Sequence, residues 1–150
     1  MYFERLGVSR ALVMKILAAV DGSEVSMRAA AIALAMSNGS AGSLTLIHVT
    51  APFASLPEFG TEMPDVTVQV QRAADTILRH AIQTLGAPST TALMNRVGSP
   101  AEVIADVADH EGFDVVVVGN TGRGAVARIV LGSVADRLVH LCSKAVLVVR

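Results

Sequence analysis

This chain has no excess of basic residues and no pair of cysteines, and each absence argues against a class of protein. The formal net charge is −1, whereas proteins that bind nucleic-acid phosphates usually carry a basic excess, so we expect no nucleic-acid partner. Cys142 is the sole cysteine and cannot form a disulfide within the chain, which fits a reducing compartment. We therefore expect a cytoplasmic location.

Long apolar runs are also lacking, although the mean hydropathy is +0.55. The stretch 11–20 is apolar, but Lys15 interrupts it and Asp21 ends it, well short of the roughly 20 residues that span a bilayer. The lysine and the lack of a good small-residue cleavage site also argue against a secretory signal. We expect no membrane partner.

The core has to be built almost entirely from aliphatic residues. Hydrophobic residues make up 52% of the 150 residues, but aromatic residues only 3%. A core of this kind suits helices packed on both faces of a parallel sheet, whose strands are continuous apolar runs. The length is typical of a single domain.

Apolar runs and helical patterns alternate along the chain. The run 114–118, with four consecutive valines, predicts a central strand, and an apolar stripe of helical period over 66–85 predicts a helix. Three prolines and a glycine at 51–64 predict a loop. The predicted strands are 16–20, 44–49, 90–97, 114–118 and 145–149, and the predicted helices are 27–36, 66–85, 99–110 and 133–142. This alternation predicts an α/β fold with a mainly parallel sheet, in which strand 90–97 lies at an edge.

The loop after the fourth strand is the most informative stretch of the chain. The two most apolar strands, the first and the fourth, are expected to be central neighbours, and ligands of doubly wound sheets bind beyond such strand ends. Gly119, Gly122, Gly132 and Ser133 follow the fourth strand with the spacing G-x2-G-x9-G-[ST]. Glycines allow close approach of the backbone, and a helix start offers free amides to phosphate. The segment therefore predicts an anion-binding loop.

Two other phosphate motifs do not fit this loop. A P-loop requires Lys and then Ser or Thr, but Ala125 and Val126 follow Gly124. Residues 122–127 match the dinucleotide pattern G-x-G-x-x-A, but one remaining strand is too little for a second nucleotide half. We treat this match as chance.

The chain resembles the universal stress proteins, a family of small α/β domains, many of which bind ATP through the spaced glycine motif. The resemblance covers residues 14–150, which would form the domain, with 1–13 as an N-terminal extension. Beyond the motif it rests on the segments 19–23 (AVDGS), 48–49 (HV), 98–101 (GSPA) and 145–149 (AVLVV).

The resemblance implies the fold, the ligand and the assembly. The fold would be a three-layer, doubly wound, five-stranded parallel sheet of strand order 3-2-1-4-5, similar to Rossmann and adenine nucleotide α hydrolase folds. The ligand would be ATP, with AMP and ADP as alternatives, and Mg²⁺ would accompany it. A homodimer would form through strand 145–149, because an exposed apolar edge invites pairing with another chain.

The resemblance also implies the residues of the site. The motif residues would hold ribose and phosphates, Asp21 would contact the nucleoside, and the backbone of Val49 would meet adenine. Arg123 lies in the loop and can reach the terminal phosphates, although the family motif does not fix its identity. The predicted cofactor-binding residues are Ala19, Val20, Asp21, Val49, Val118, Gly119, Asn120, Gly122, Arg123, Gly132, Ser133 and Val134.

Some of these residues also have purely structural interpretations. The loop glycines fit a tight turn, Asp21 with Glu24 fits a capping box, and Ser133 alone fits an N-cap. His48 is expected to be a hydrogen-bonded core histidine rather than a ligand. The other histidines lack partners at metal-ligand spacing, so no metal held by protein ligands alone is expected.

Three functions fit the sequence. The first is a nucleotide-binding regulatory module, favoured because the motif is complete. The second is a slow ATPase or autophosphorylating enzyme that uses Asp21, although no nucleophile with its base is recognisable and no catalytic residue is predicted. The third is a dimeric scaffold in which nucleotide is incidental.

Overall fold

Strands and helices alternate along the chain as predicted. The computed structural model describes residues 13–52, 64–122 and 131–150. In chain order the elements are β1 (Lys15–Ala19), α1 (Glu24–Gly39), β2 (Ser43–Thr50), α2 (Pro64–Leu85), β3 (Ala92–Val97), α3 (Pro100–His110), β4 (Val115–Gly119), α4 (Ser133–Leu141) and β5 (Ala145–Val149).

The strands form one parallel sheet in the order β3-β2-β1-β4-β5. β1 lies at its centre, where Leu17 pairs with Thr45 of β2 on one side and with Val116 of β4 on the other. β3 and β5 lie at the two edges. The predicted α/β class, the strand order 3-2-1-4-5, the adjacency of β1 and β4 and the edge position of β3 are therefore confirmed.

Helices cover both faces of the sheet and create two core clusters. Successive side chains of a strand point to opposite faces, so Ile16 and Ala18 pack on the side of α1 and α2, whereas Leu17 packs on the side of α3 and α4. Ala29 and Ala33 are fully buried on α1, which allows that helix to lie close to the sheet. The result is a three-layer sandwich of helices, sheet and helices. Because all strands are parallel, their carboxyl ends lie at the same end of the sandwich.

Capping decides where α1 begins. The helix starts at Glu24, earlier than predicted, because Ser23 is its N-cap and its hydroxyl accepts a hydrogen bond from the amide of Ser26 at 3.2 Å. The alternative interpretation of Asp21 and Glu24 as a capping box is therefore wrong. The Asp21 carboxylate instead accepts from the amide of Ser23 at 2.9 Å, which closes a local turn before the helix.

Several other boundaries differ from the sequence prediction, among them the starts of α2 and β3. α2 begins at Pro64, the last residue of the stretch 51–64 that the sequence predicts as a loop, because proline fits the first turn of a helix. Residues 53–63 of that stretch lie outside the described residues. β3 begins at Ala92, because the amide of Thr91 bonds to the carbonyl of Pro88 and closes a turn there. No helix within the described ranges is long and apolar enough to cross a bilayer.

Candidate functional site

A cavity of about 660 Å³ opens beyond the carboxyl ends of β1, β2 and β4. Because β1 and β4 are the strands at which the connection order reverses, this is the switch point of the sheet, where doubly wound folds bind ligands. Its size falls within the range of about 300–1,000 Å³ typical of small-molecule sites. The fold therefore places a ligand-sized space where the sequence predicts a site.

The predicted site residues come together around this cavity although they belong to distant parts of the chain. The predicted residues that line it are Ala19, Val20, Asp21, Val49, Val118, Gly119, Asn120, Gly122, Gly132, Ser133 and Val134. Arg123 lies outside the described residues. That these residues bind a nucleotide stays a prediction.

One wall of the cavity is apolar and is built by elements of the α3–α4 face. Ile47 and Val118 come from β2 and β4, Pro100 and Ile104 from the first turns of α3, and Ala135 from α4. All except Pro100 belong to the buried core cluster of that face. A rigid aliphatic wall of this kind suits a flat heteroaromatic ring.

Another part of the cavity lining is a polar rim formed by loops and helix starts. Gly132 is the N-cap of α4, and its amide donates to the carbonyl of Asn120 at 2.6 Å. The amide of Asn120 in turn donates to the carbonyl of Val149 in β5, also at 2.6 Å. This chain of hydrogen bonds fixes the end of β4, the start of α4 and the end of β5 to one another.

Space rather than backbone angle explains the glycines of the loop. None of Gly119, Gly122 and Gly132 has a positive φ. A Cβ on Gly122 would lie 2.7 Å from Oδ2 of Asp21, and one on Gly119 would lie 2.9 Å from Cγ1 of Val25. The loop after β4 therefore packs directly against the segment that follows β1, and it needs glycine to do so.

The backbone of Val49 faces the cavity for a topological reason. In β2 the carbonyl of Ile47 accepts from Val20 on the β1 side, whereas the carbonyl of Thr50 accepts from Gly98 on the β3 side. Because backbone groups alternate in direction along a strand, those of Val49 point to the β1 side. The pairing with β1 ends at Ala19↔Ile47, so these groups lie beyond it at the cavity.

Asp21 and His48 are the titratable side chains among the described residues that line the cavity. Nδ1 of His48 lies 2.7 Å from the carbonyl oxygen of Val20, which confirms that this histidine is hydrogen-bonded, although it lines the cavity and is only half-buried. Within 13–52, 64–122 and 131–150, no three His, Cys, Asp or Glu side chains are grouped so that they could hold a metal ion.

Sequence reasoning missed the other lining residues, most of which reach the cavity through tertiary packing. They are Ser26, Ile47, His48, Thr50, Ala51, Pro100, Ile104, Thr121 and Ala135. Two local signals were available. Pro100 and Ile104 are four positions apart on one face of a helix that follows a strand end, and Ser26 stands three positions after an N-capping serine.

These features together define an α/β protein of the doubly wound class with a ligand cavity at its switch point. The sequence model of the universal stress protein family matches residues 13–150. The chain therefore belongs to the universal stress protein family.

Individual relatives agree with this assignment. The chain is 33% identical over 137 residues to the universal stress protein in the QAH/OAS sulfhydrylase 3′ region of Thermus aquaticus, a match that covers 90% of this chain and 97% of that protein. It is 30% identical over 143 residues to universal stress protein MJ0531 of Methanocaldococcus jannaschii, covering 93% and 83%.

Solved structures share the fold. Hypothetical protein MJ0577 superposes with a TM-score of 0.78 at 27% identity, covering 92% of this chain and 96% of that one. A universal stress protein solved in complex with cAMP superposes with a TM-score of 0.69 at 25% identity, covering 92% and 98%.

Proposed function

We propose that this protein binds ATP in the cavity at the switch point and acts as a nucleotide-dependent regulatory module in the stress response. The observation that carries the proposal is the convergence of the spaced glycine motif, Asp21 and Val49 on one cavity of about 660 Å³. The similar universal stress protein solved with cAMP supports an adenine nucleotide as the ligand class.

The lining of the cavity matches the parts of a nucleotide. Adenine would lie on the apolar wall, with the backbone N–H and C=O of Val49 toward its edge. The phosphates would lie at the start of α4, because the first-turn amides of Ser133 and Val134 have no carbonyl partner within the helix and attract anions. Asp21, which also lines the cavity, would contact the nucleoside.

The charge balance favours Mg²⁺ as a companion of the nucleotide. The described lining residues include no lysine or arginine but do include the acidic Asp21. A triphosphate therefore needs positive charge from another source, which a divalent cation bound to the phosphates would supply. We propose Arg123 as a second source of positive charge for the phosphates. AMP and ADP need less compensation and remain the alternative ligands.

We further propose the domain limits, the location and the assembly. Residues 14–150 would form the universal stress protein domain, residues 1–13 a short extension, and the protein would work in the cytoplasm as a homodimer. β5 is an edge strand, and Leu147 within it is 37% exposed. Val139 and Leu141 of α4 are also exposed large apolar residues. Such a surface favours pairing of two copies through β5.

Gly132→Val tests the proposed site. A Cβ on Gly132 would lie 3.1 Å from the carbonyl oxygen of Asn120, so a branched side chain displaces the loop from the start of α4. We expect titration calorimetry to record the loss of most of the ATP affinity.

Ser133→Ala removes one hydrogen bond to a charged group and should cost about 1.5–3 kcal/mol, a ten- to hundredfold weakening.

Gly39→Val is the matched control, because no atom lies within 4 Å of a Cβ at that position. It should bind ATP like the wild type. Unchanged affinity in Gly132→Val would contradict the proposed site. Acid release of ligand from purified protein, followed by mass spectrometry, separates the nucleotide proposal from a scaffold without ligand.

A further inference from the structure

The peptide group between Val20 and Asp21 is held by two side chains from different elements. Its carbonyl, on Val20, lies 2.7 Å from Nδ1 of His48 in β2. Its amide, on Asp21, donates to Oγ of Ser26 in α1 at 3.3 Å. Both side chains line the cavity. The two polar atoms of one peptide are therefore fixed from opposite ends.

The chemistry of these side chains settles which atom donates. A carbonyl oxygen only accepts, so Nδ1 of His48 carries the proton. Ser26 uses its single hydroxyl hydrogen on the carbonyl of Ser23 at 2.9 Å, which leaves its oxygen lone pairs for the amide of Asp21. Ser26 is buried at 4% exposure, so water does not readily replace it.

Holding this peptide orients the carboxylate of Asp21. A peptide group is planar, so fixing its carbonyl and amide fixes the plane from which the φ rotation of Asp21 starts. The carboxylate is then held at its other end, where Oδ1 accepts from the amide of Ser23 at 2.9 Å. Only small rotations remain, and the oxygen Oδ2 stays next to Gly122.

We infer that Ser26 and His48 are positioning residues for Asp21, which hold its carboxylate ready for the nucleoside. The inference rests on the proposed nucleotide site and adds two residues to it. Neither side chain needs to touch the nucleotide, because each acts through the peptide that precedes Asp21. Pre-organisation of this kind raises affinity because the loop does not have to be ordered on binding.

A double-mutant cycle on ATP affinity tests the inference. Ser26→Ala and His48→Phe should each weaken ATP binding about fivefold, which corresponds to about 1 kcal/mol for one hydrogen bond. In an Asp21→Ala background, Ser26→Ala should cause no further loss, because the carboxylate that it orients is gone. His48→Asn should bind ATP more tightly than His48→Phe and close to the wild-type affinity, because the side-chain amide of asparagine supplies a donor near the position of Nδ1.

Ser37→Ala is the matched control for Ser26→Ala. Ser37 is also a buried serine of α1, at 5% exposure, and its hydroxyl also donates to a backbone carbonyl at 2.9 Å, that of Leu34. The two alanine variants should lower the melting temperature of the ligand-free protein similarly. Only Ser26→Ala should weaken ATP binding. If Ser26→Ala does not fold, the two His48 variants carry the same test.

Each outcome of this experiment decides something. If the wild type binds ATP but Ser26→Ala and His48→Phe bind it equally well, the inference is wrong and the proposed function stands. If Ser26→Ala weakens binding equally in the wild-type and Asp21→Ala backgrounds, Ser26 does not act through Asp21 and the inference is also wrong. If the wild type does not bind ATP, the proposed function fails, and the inference fails with it.

Discussion

At the residue scale, the carboxylate of Asp21 fills the space that a side chain on Gly122 would need. The two residues follow different strands, β1 and β4, and meet only because those strands are neighbours. The short distance from Oδ2 to a Cβ at position 122 means that a side chain at this position would collide with the end of the Asp21 side chain. Any side chain there has to displace the carboxylate or the loop.

Gly122→Ala should therefore weaken nucleotide binding more than it weakens the fold. The added methyl group moves the flexible end of the Asp21 side chain rather than backbone, and position 122 is exposed, so the melting temperature should change little. Misplacing a group that contacts the ligand should lower ATP affinity about tenfold. Calorimetry with Gly39→Ala as control measures this, and equal affinities would show that the position of Asp21 is irrelevant.

At the element scale, one carboxylate joins the start of α3 to the middle of α4, the two helices that contribute to the apolar wall. Glu102, in the first turn of α3, accepts a hydrogen bond from the hydroxyl of Ser99 and forms an ion pair with Arg137 of α4. The hydrogen bond from the Ser99 hydroxyl lowers the pKa of Glu102 below its usual value, and the positive charge of Arg137 lowers this pKa by a smaller amount. An anion at a helix start is also favoured by the helix dipole.

The lowered pKa of Glu102 gives a pH dependence of known sign. A carboxyl group whose pKa is lower in the folded than in the unfolded protein stabilises the fold above the unfolded pKa. That contribution is lost as the pH falls through the folded pKa. The stability difference between wild type and Glu102→Gln should thus be present at neutral pH and shrink in acid, as denaturant titrations at several pH values would record.

Ser99→Ala provides the check on the cause. Removing the hydroxyl should raise the pKa of Glu102 toward its usual value, which side-chain NMR titration measures directly. An unchanged titration in this variant would mean that Ser99 is not the main cause. Because the group is exposed, we expect the stability effect to be small and sensitive to salt.

Elements were easier to predict from the sequence than their ends were. The four valines of β4 and the apolar stripe of α2 identify a strand and a helix by period alone. The start of α1 depends on which of several polar residues caps it, and the local sequence offered Asp21 where the structure uses Ser23. Capping is decided by hydrogen-bond geometry that residue type does not determine.

The residues of the candidate site also fall into a group that the sequence predicts and a group that it does not. Gly119, Gly122, Gly132 and Ser133 were found because their spacing is local and the resemblance to the family gave it meaning. The lining residue Ile104 was missed, because it reaches the cavity only when α3 packs on the sheet. Its spacing from Pro100 shows that the two residues share a helix face, but it does not show what that face packs against.

At the scale of the whole molecule, the two edge strands of the sheet differ in how they are connected to the candidate site. β5 lies next to β4, and the carbonyl of Val149 accepts the amide of Asn120 in the candidate site. A dimer formed through β5 would therefore lie beside the loops of the candidate site in both copies. β3 lies at the far edge and is bonded to no residue of those loops among the described residues.

Leu147→Glu should convert the proposed homodimer into a monomer. A charge on the edge strand β5 is poorly tolerated in an apolar interface, and Leu147 is 37% exposed in the single chain. Leu93→Glu is the matched control, because Leu93 is an exposed leucine of the other edge strand, at 45% exposure. Sedimentation at micromolar concentration should give a dimer for wild type and Leu93→Glu; a wild-type monomer would refute the proposed assembly.

The order of the strands also has a consequence for synthesis on the ribosome. Lys15 and Asp114, which meet where β1 and β4 begin, are 99 residues apart in the chain. At about 5–20 residues per second, β1 and β2 emerge several seconds before β4 exists. During that interval the apolar β1 has one open side at which a neighbouring nascent chain can attach. The innermost strand of the finished protein is the outermost strand of the growing one.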